Sequence, residues 1–168
     1  MPDAAALPSV SPDRLREAAG AFVTGVTIVT TSAPDGLFGC TANAVASLSL
    51  EPPLMLVCLD RAASTHPRML AARSFAINVI RAGDENEALA RAFAATSDDK
   101  FSGVPHQAGT TGAPILDAAL AWLECELDRT YEGGDHTIFV GRVVDATVRD
   151  GEPLVFHRGR FSSTLLVE

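Results

Sequence analysis

Lysine is nearly absent from this chain: there is one, against twelve arginines, and the arginines are scattered rather than gathered into a stripe. With a formal net charge of −8, that distribution argues against nucleic acid as a partner. An anionic ligand would have to be held locally, by backbone amides and hydroxyls, against the overall field. Cysteine is scarce and odd in number, and Cys40, Cys58 and Cys125 show no CxxC spacing. That argues against a disulfide framework or a zinc site. Cys58 and Cys125 stand inside apolar runs and read as buried thiols, which fits a reducing, cytoplasmic compartment. No apolar run approaches the ~18 residues of a membrane span. The first ten residues lack the charged start and apolar stretch of a secretory signal. GxGxxG, GxxxxGK[ST] and GxSxG are all missing, which removes the common nucleotide loops and the hydrolase elbow. His66, His106, His136 and His157 lie far apart, so no metal site is expected.

What remains is 168 residues, 47% of them hydrophobic and only 6% aromatic. One domain with a mainly aliphatic core is expected over residues 11–168, behind an Ala/Pro/Ser-rich flexible arm over 1–10. Ser11, Pro12 and Asp13 make a good helix start, with a helix expected to about residue 21. Residues 26–31 are β-branched and favour a strand. Pro34, Asp35 and Gly36 then turn the chain into a hairpin partner over 37–41. Further strands are expected at 45–50, 54–59, 75–80, 123–128, from 138 onward and at 154–156. The strand at 54–59 has no polar interruption and reads as central and covered on both faces. Leu123, Cys125 and Leu127 alternate with Glu124, Glu126 and Asp128, which predicts one wet face. Ile138, Val140, Val144, Ala146 and Val148 are expected to share a face, with Gly141 on the other. Helices are expected at 65–73 and 85–95, and a long surface loop over 97–114. Strands that come mainly as hairpins, without regular β-α alternation, point to an antiparallel barrel with two or three short flanking helices.

The segment from Gly39 to Thr65 is the most informative. Small hydroxyl and amide side chains come first (Thr41, Asn43, Ser47, Ser49), then Pro52-Pro53, an apolar strand, and Ser64-Thr65. Close packing of a hairpin explains the small residues equally well. Two features favour a ligand. Asn43 sits in a run of small residues, where its amide can donate and accept. Ser64-Thr65 precedes a helix, where hydroxyls and free amides suit an anion. One polar locus and one anion locus suit a flavin mononucleotide. Gly133-Gly134-Asp135-His136 is either an idle hairpin turn or a histidine held at a barrel mouth for a second ligand.

Taken in order, these pieces resemble the short-chain flavin reductase family, the reductase components of two-component flavin-dependent monooxygenases. The resemblance runs from about Phe22 to Phe161. It rests on residues 24–31, Thr41-Ala42-Asn43 through Ser47, Ser49 and Pro52-Pro53, Ser64 to His66, residues 75–79, Asp99-Lys100-Phe101 and Gly134-Asp135-His136. It implies a split-barrel, FMN-binding fold and a homodimer that binds FMN or FAD. NADH or NADPH would donate a hydride, and reduced flavin would pass to a partner monooxygenase. By position, Thr24, Gly25, Val26 and Thr27 would border the flavin, and Cys40, Thr41, Ala42 and Asn43 would face its ring. Ser47 and Ser49 lie on the same strand region. Asp60, Ser64 and Thr65 would serve the ribityl chain and phosphate, and Lys100 and Phe101 would close over the phosphate end. His136 would position the nicotinamide, with His157 and Phe161 at the rim. No acid-base residue is required, because hydride transfer is the cofactors' own chemistry. Asp60 stands where a neutral residue is frequent, and Phe161 where Tyr is common. The alternatives are a flavin- or haem-binding electron carrier without turnover, or a flavin-linked oxidase.

Overall fold

The computed structural model describes residues 9–97 and 99–162. Most of the expected arm, residues 1–8, lies outside them. Helix α1 (Pro12–Ala19) begins as its residues dictate: Ser11 Oγ accepts from Arg14 N at 3.3 Å, and Pro12 occupies the first turn. It ends at Gly20, a little earlier than expected.

The chain then makes β1 (Thr24–Gly25), β2 (Thr27–Ala33), β3 (Gly36–Ala42), β4 (Val45–Leu50) and β5 (Pro53–Asp60). Helix α2 (Thr65–Ala72), β6 (Ser74–Ile80) and α3 (Asp84–Ala94) follow. After them come β7 (His106–Ala108), β8 (Pro114–Leu116), β9 (Ala119–Gly133), β10 (His136–Val148), β11 (Val155–His157) and β12 (Arg160–Ser162). Seven strands form one antiparallel sheet in the order β3-β2-β6-β9-β10-β5-β4. Its two edge strands, β3 and β4, are consecutive in the chain and separated only by Asn43 and Ala44. Two residues span roughly 7 Å, so the sheet must roll until its edges nearly meet. Cys58 N donates to Ala44 O at 2.9 Å, carrying the β5 pairing into that gap. This is a split barrel, joined at one end of the seam.

Strand β2 is buried on both faces, which is why its β-branched run has no polar alternation. Val29 joins a core of Val57, Met69 of α2, Phe75, Ile77, Cys125 and Phe139. Ile28, from the other face, joins Ile80 and α3 through Ala90 and Phe93. A smaller sheet, β1-β11-β12, brings the C-terminal hairpin back beside the start of the barrel.

Four local expectations need correction. Strand β5 is next to the edge rather than central, and Leu54, Met55, Leu56 and Cys58 are half-buried. The segment 97–114 is no plain surface loop. It contains β7, and Ala113 and Pro114 are buried at the start of β8, where Pro114 O accepts from Thr30 Oγ1 and Asn78 Nδ2. The third concerns Glu124, which is 1% exposed instead of on a wet face. Its carboxylate accepts from Thr110 N (2.9 Å), Thr111 N (2.7 Å) and Thr111 Oγ1 (2.8 Å), so loop amides replace water. Finally, β10 does not keep one apolar face. Register shifts at Val140/Gly141 and Val143/Asp145 interrupt the alternation. Phe139 and Gly141 face the core, while Ala146 and Val148 are exposed. Gly141 is required there: a Cβ would stand 2.5 Å from Phe75 Cζ and 2.6 Å from Cys125 Cβ.

Candidate functional site

A cavity of about 450 Å³ opens where the barrel seam, α2 and α3 converge. That volume lies in the range of small-molecule and cofactor sites, ~300–1,000 Å³. The end of β3 and its link supply Cys40, Thr41, Ala42, Asn43 and Ala44, whose small side chains leave the backbone accessible. The end of β5 and the start of α2 supply Cys58 to Asp60 and Ala62 to Thr65. The end of α3 supplies Phe93 to Ser97, and Lys100 and His136 complete the wall.

Polar groups in this cleft are arranged unequally. Thr41 Oγ1 is committed to Ala90 O at 2.6 Å, tying β3 to α3. Asp60 folds onto its own turn, its Oδ1 accepting from Ala62 N at 2.8 Å and its carbonyl from Ala63 N at 3.1 Å. Ser64 precedes α2 without capping it; His66 N donates to Ala63 O at 3.0 Å and Pro67 has no N–H, so in the first turn the Thr65 amide is the one left toward the cleft. That amide lies at the positive end of the helix dipole. The Thr65 hydroxyl is fully buried and makes no hydrogen bond of good geometry. The Cys40 thiol lies close enough for that hydroxyl to lower its pKa, but a thiol is a weak partner. Burial outweighs this effect and that of Lys100, so the Cys40 pKa is raised overall. Lys100 Nζ donates to Phe93 O at 2.9 Å and Gly39 O at 3.3 Å, pinning the end of α3 to β3. Desolvation lowers its pKa, with Cys40 acting in the other direction. His136 Nδ1 lies 2.7 Å from Asp135 Oδ1. That hydrogen bond and the imidazole charge hold the Asp135 carboxyl below its ordinary range.

The structure therefore gathers Cys40, Thr41, Ala42, Asn43, Asp60, Ser64, Thr65, Lys100 and His136 around one cavity. The remaining predicted residues lie elsewhere. Thr24 and Gly25 pair with Phe156 and Val155 in the small sheet. Val26 is core, and Thr27 stands behind the wall, its Oγ1 donating to Ala42 O at 2.6 Å. Ser47 and Ser49 lie along β4, paired with Met55 and Leu54. Phe101 packs edge-on against Phe93 and His106. Phe161 packs on Phe156 beneath the Arg91 guanidinium, and His157 pairs with Arg160 in the C-terminal hairpin. Sequence reasoning missed Ala44, Cys58, Leu59, Ala62, Ala63 and the end of α3. The Ala62-Ala63 pair beside Ser64 was a usable signal, because small residues there leave backbone exposed. Phe93 to Ser97 carried none: the chain reaches the cleft only once α3 has packed.

An antiparallel split barrel with a cleft of exposed backbone, a helix N-terminus, a buried free hydroxyl and a lysine defines a binder of flat, anionic ligands. Residues 19–165 match the family described as "Flavin reductase like domain", and the chain belongs to that family. It is 44% identical over 156 residues to an NADH-dependent FAD reductase of Streptomyces globisporus, covering 88% of this chain and 83% of the relative. It is 44% identical over 147 residues to the reductase component of a 4-nitrophenol 4-monooxygenase/4-nitrocatechol 2-monooxygenase of Rhodococcus opacus, covering 87% of this chain and 77% of the relative. Among solved structures it is similar to the NADH:FAD oxidoreductase SgcE6 of Streptomyces globisporus C-1027 in complex with NAD and FAD fragments. The TM-score is 0.85 and the identity 42%, with 96% of this chain and 99% of that chain covered. Among the described residues no group of three His, Cys, Asp or Glu could hold a metal ion, and no helix is long and apolar enough to cross a membrane.

Proposed function

We propose that the protein is an NAD(P)H-dependent flavin reductase whose cleft holds a flavin nucleotide, FMN or FAD, and receives a nicotinamide nucleotide beside His136. The residues fit that pair. The observation that carries the reading is the buried Thr65 hydroxyl without a good partner, beside its own amide at the uncapped helix start and Lys100 in the same cavity as His136. Such a set suits a phosphate, since Nζ of Lys100 has three donors and two are used among the described residues. Residues 40–44 offer backbone and the Asn43 amide to the polar edge of a flat ring. When bound, the cofactors themselves supply the chemistry, a hydride passing from nicotinamide to flavin. The protein binds and orients them, and such positioning contributes about 7–11 kcal/mol in favourable systems. Reduced flavin then leaves for an oxygenase component. The chain acts as a homodimer in the cytoplasm, a reading supported by three free cysteines and by exposed apolar residues such as Leu50 and Val148.

NADH absorbance, followed with and without FMN or FAD, tests this. Flavin-dependent oxidation is expected. Retention of flavin with no NADH oxidation would instead identify an electron carrier. His136→Ala is expected to raise the KM for NADH while leaving flavin affinity unchanged, and an unchanged KM would remove His136 from the nicotinamide site.

A further inference from the structure

His136 and Thr137 are neighbours on β10, so their side chains leave opposite faces of the strand. His136 stands in the cleft wall, whereas Thr137 is buried and alternates in phase with Phe139. That face is met by His66, the second residue of α2. His66 Nε2 lies 2.9 Å from Thr137 Oγ1, and its ring stands edge-on to Phe139 at 5.2 Å between centroids. Burial, the largest cause, and Arg61 keep the imidazole below its ordinary pKa, with Asp60 opposing. The ring is therefore mainly neutral at pH 7, and either tautomer can bond the hydroxyl. Two other ties join the same segments at the rim. Arg61 N donates to Asp135 O at 3.1 Å, and the Arg61 and Glu132 side chains pair at 3.6 Å, both exposed. Exposed pairs of this kind contribute little. Thr65, the residue before His66, lines the cleft.

We propose that His66 is a positioning residue: through Thr137 it fixes β10 against α2 from behind and so holds His136 at the height the nicotinamide nucleotide requires. This rests on His136 contacting that nucleotide. Thr137→Val removes only the hydroxyl and keeps the branched shape. It is expected to raise the KM for NADH about three- to tenfold, the range of one hydrogen bond, with kcat and flavin affinity changed by less than roughly twofold. His66→Ala is expected to do the same, and His66→Gln, which retains an amide near the Nε2 position, to restore most of the loss. In a His136→Ala background Thr137→Val is expected to add nothing to the KM, because its effect runs through His136. A merely structural role would lower the melting temperature and still add its effect in that background. Additive KM values overturn the proposal, as does an unchanged KM for Thr137→Val when His136→Ala alone raises it. An unchanged KM for His136→Ala overturns the nicotinamide reading and this proposal with it.

Discussion

Thr65→Val is expected to strengthen the free protein and weaken its hold on flavin. Valine keeps the β-branched shape of a side chain that is completely buried at the start of α2. What it removes is a hydroxyl without a well-formed hydrogen bond. A buried, unsatisfied polar group costs about 1–3 kcal/mol. For a domain of this size each kcal/mol moves the melting temperature by roughly 2–4 °C. A rise of about 2–12 °C in flavin-free protein is therefore expected by thermal unfolding. Against a phosphate oxygen the same hydroxyl is worth about 1.5–3 kcal/mol, as hydrogen bonds to charged groups are. That corresponds to a roughly 10- to 150-fold weaker flavin Kd, measured by quenching of flavin fluorescence. The opposite signs separate two roles for Thr65. If its partner is the neighbouring Cys40 thiol, the variant will be less stable and will bind flavin unchanged. That pair of results would falsify the anion-site assignment.

Gly141→Ala places a methyl group 2.5 Å from Phe75 Cζ and 2.6 Å from Cys125 Cβ, so a loss of about 1–3 kcal/mol or more is expected in urea unfolding. Glu124→Gln turns an amide NH₂ toward donors that now meet a carboxylate, Thr110 N, Thr111 N and Thr111 Oγ1. At least one is left unpaired, at a cost of about 1–3 kcal/mol, and amide exchange at Thr110 and Thr111 should rise with it. The pKa of His66 is lowered from 6.5 by folding. The unfolded chain therefore takes up that proton first as pH falls, and stability increases with pH through this window. The His66 contribution is complete above about 6.5 and is lost below it, so His66→Gln should flatten the stability curve on the acid side. The Cys40 pKa is raised, chiefly by burial, so its alkylation at pH 7 should be slower than that of a free thiol, and slower again with flavin present. Equal rates in the three cases would exclude Cys40 from the cleft.

Local chemistry alone made much of this protein legible. The Ser11-Pro12-Asp13 start placed α1, the β-branched run placed β2, and Pro34-Asp35-Gly36 placed its hairpin, because each depends on residues within a few positions. The small residues of Cys40 to Asn43 and the hydroxyls of Ser64-Thr65 also stood out in the sequence, and the structure sets them around one cavity. Less legible was everything that needed a partner from far along the chain. Glu124 looks wet by alternation and is dry only because Thr110 and Thr111 fold over it. The faces of β10 depend on register shifts against β9, which no residue of β10 announces.

The sequence by itself determined the antiparallel, hairpin-built class of the fold, the residue types of the cleft and membership of the flavin reductase family. Those follow from short-range propensity and from motifs in order. Only the tertiary structure decided which of those motifs share a cavity. Rolling the sheet until β3 and β4 meet across Asn43 and Ala44 brings Cys40 to Asn43, Ser64-Thr65, Lys100 and His136 together. The same rolling leaves Ser47, Ser49 and Phe161 outside. The physical reason is that closure is a long-range event, set by strand order and by helices packed on the seam, and no local run of residues encodes it.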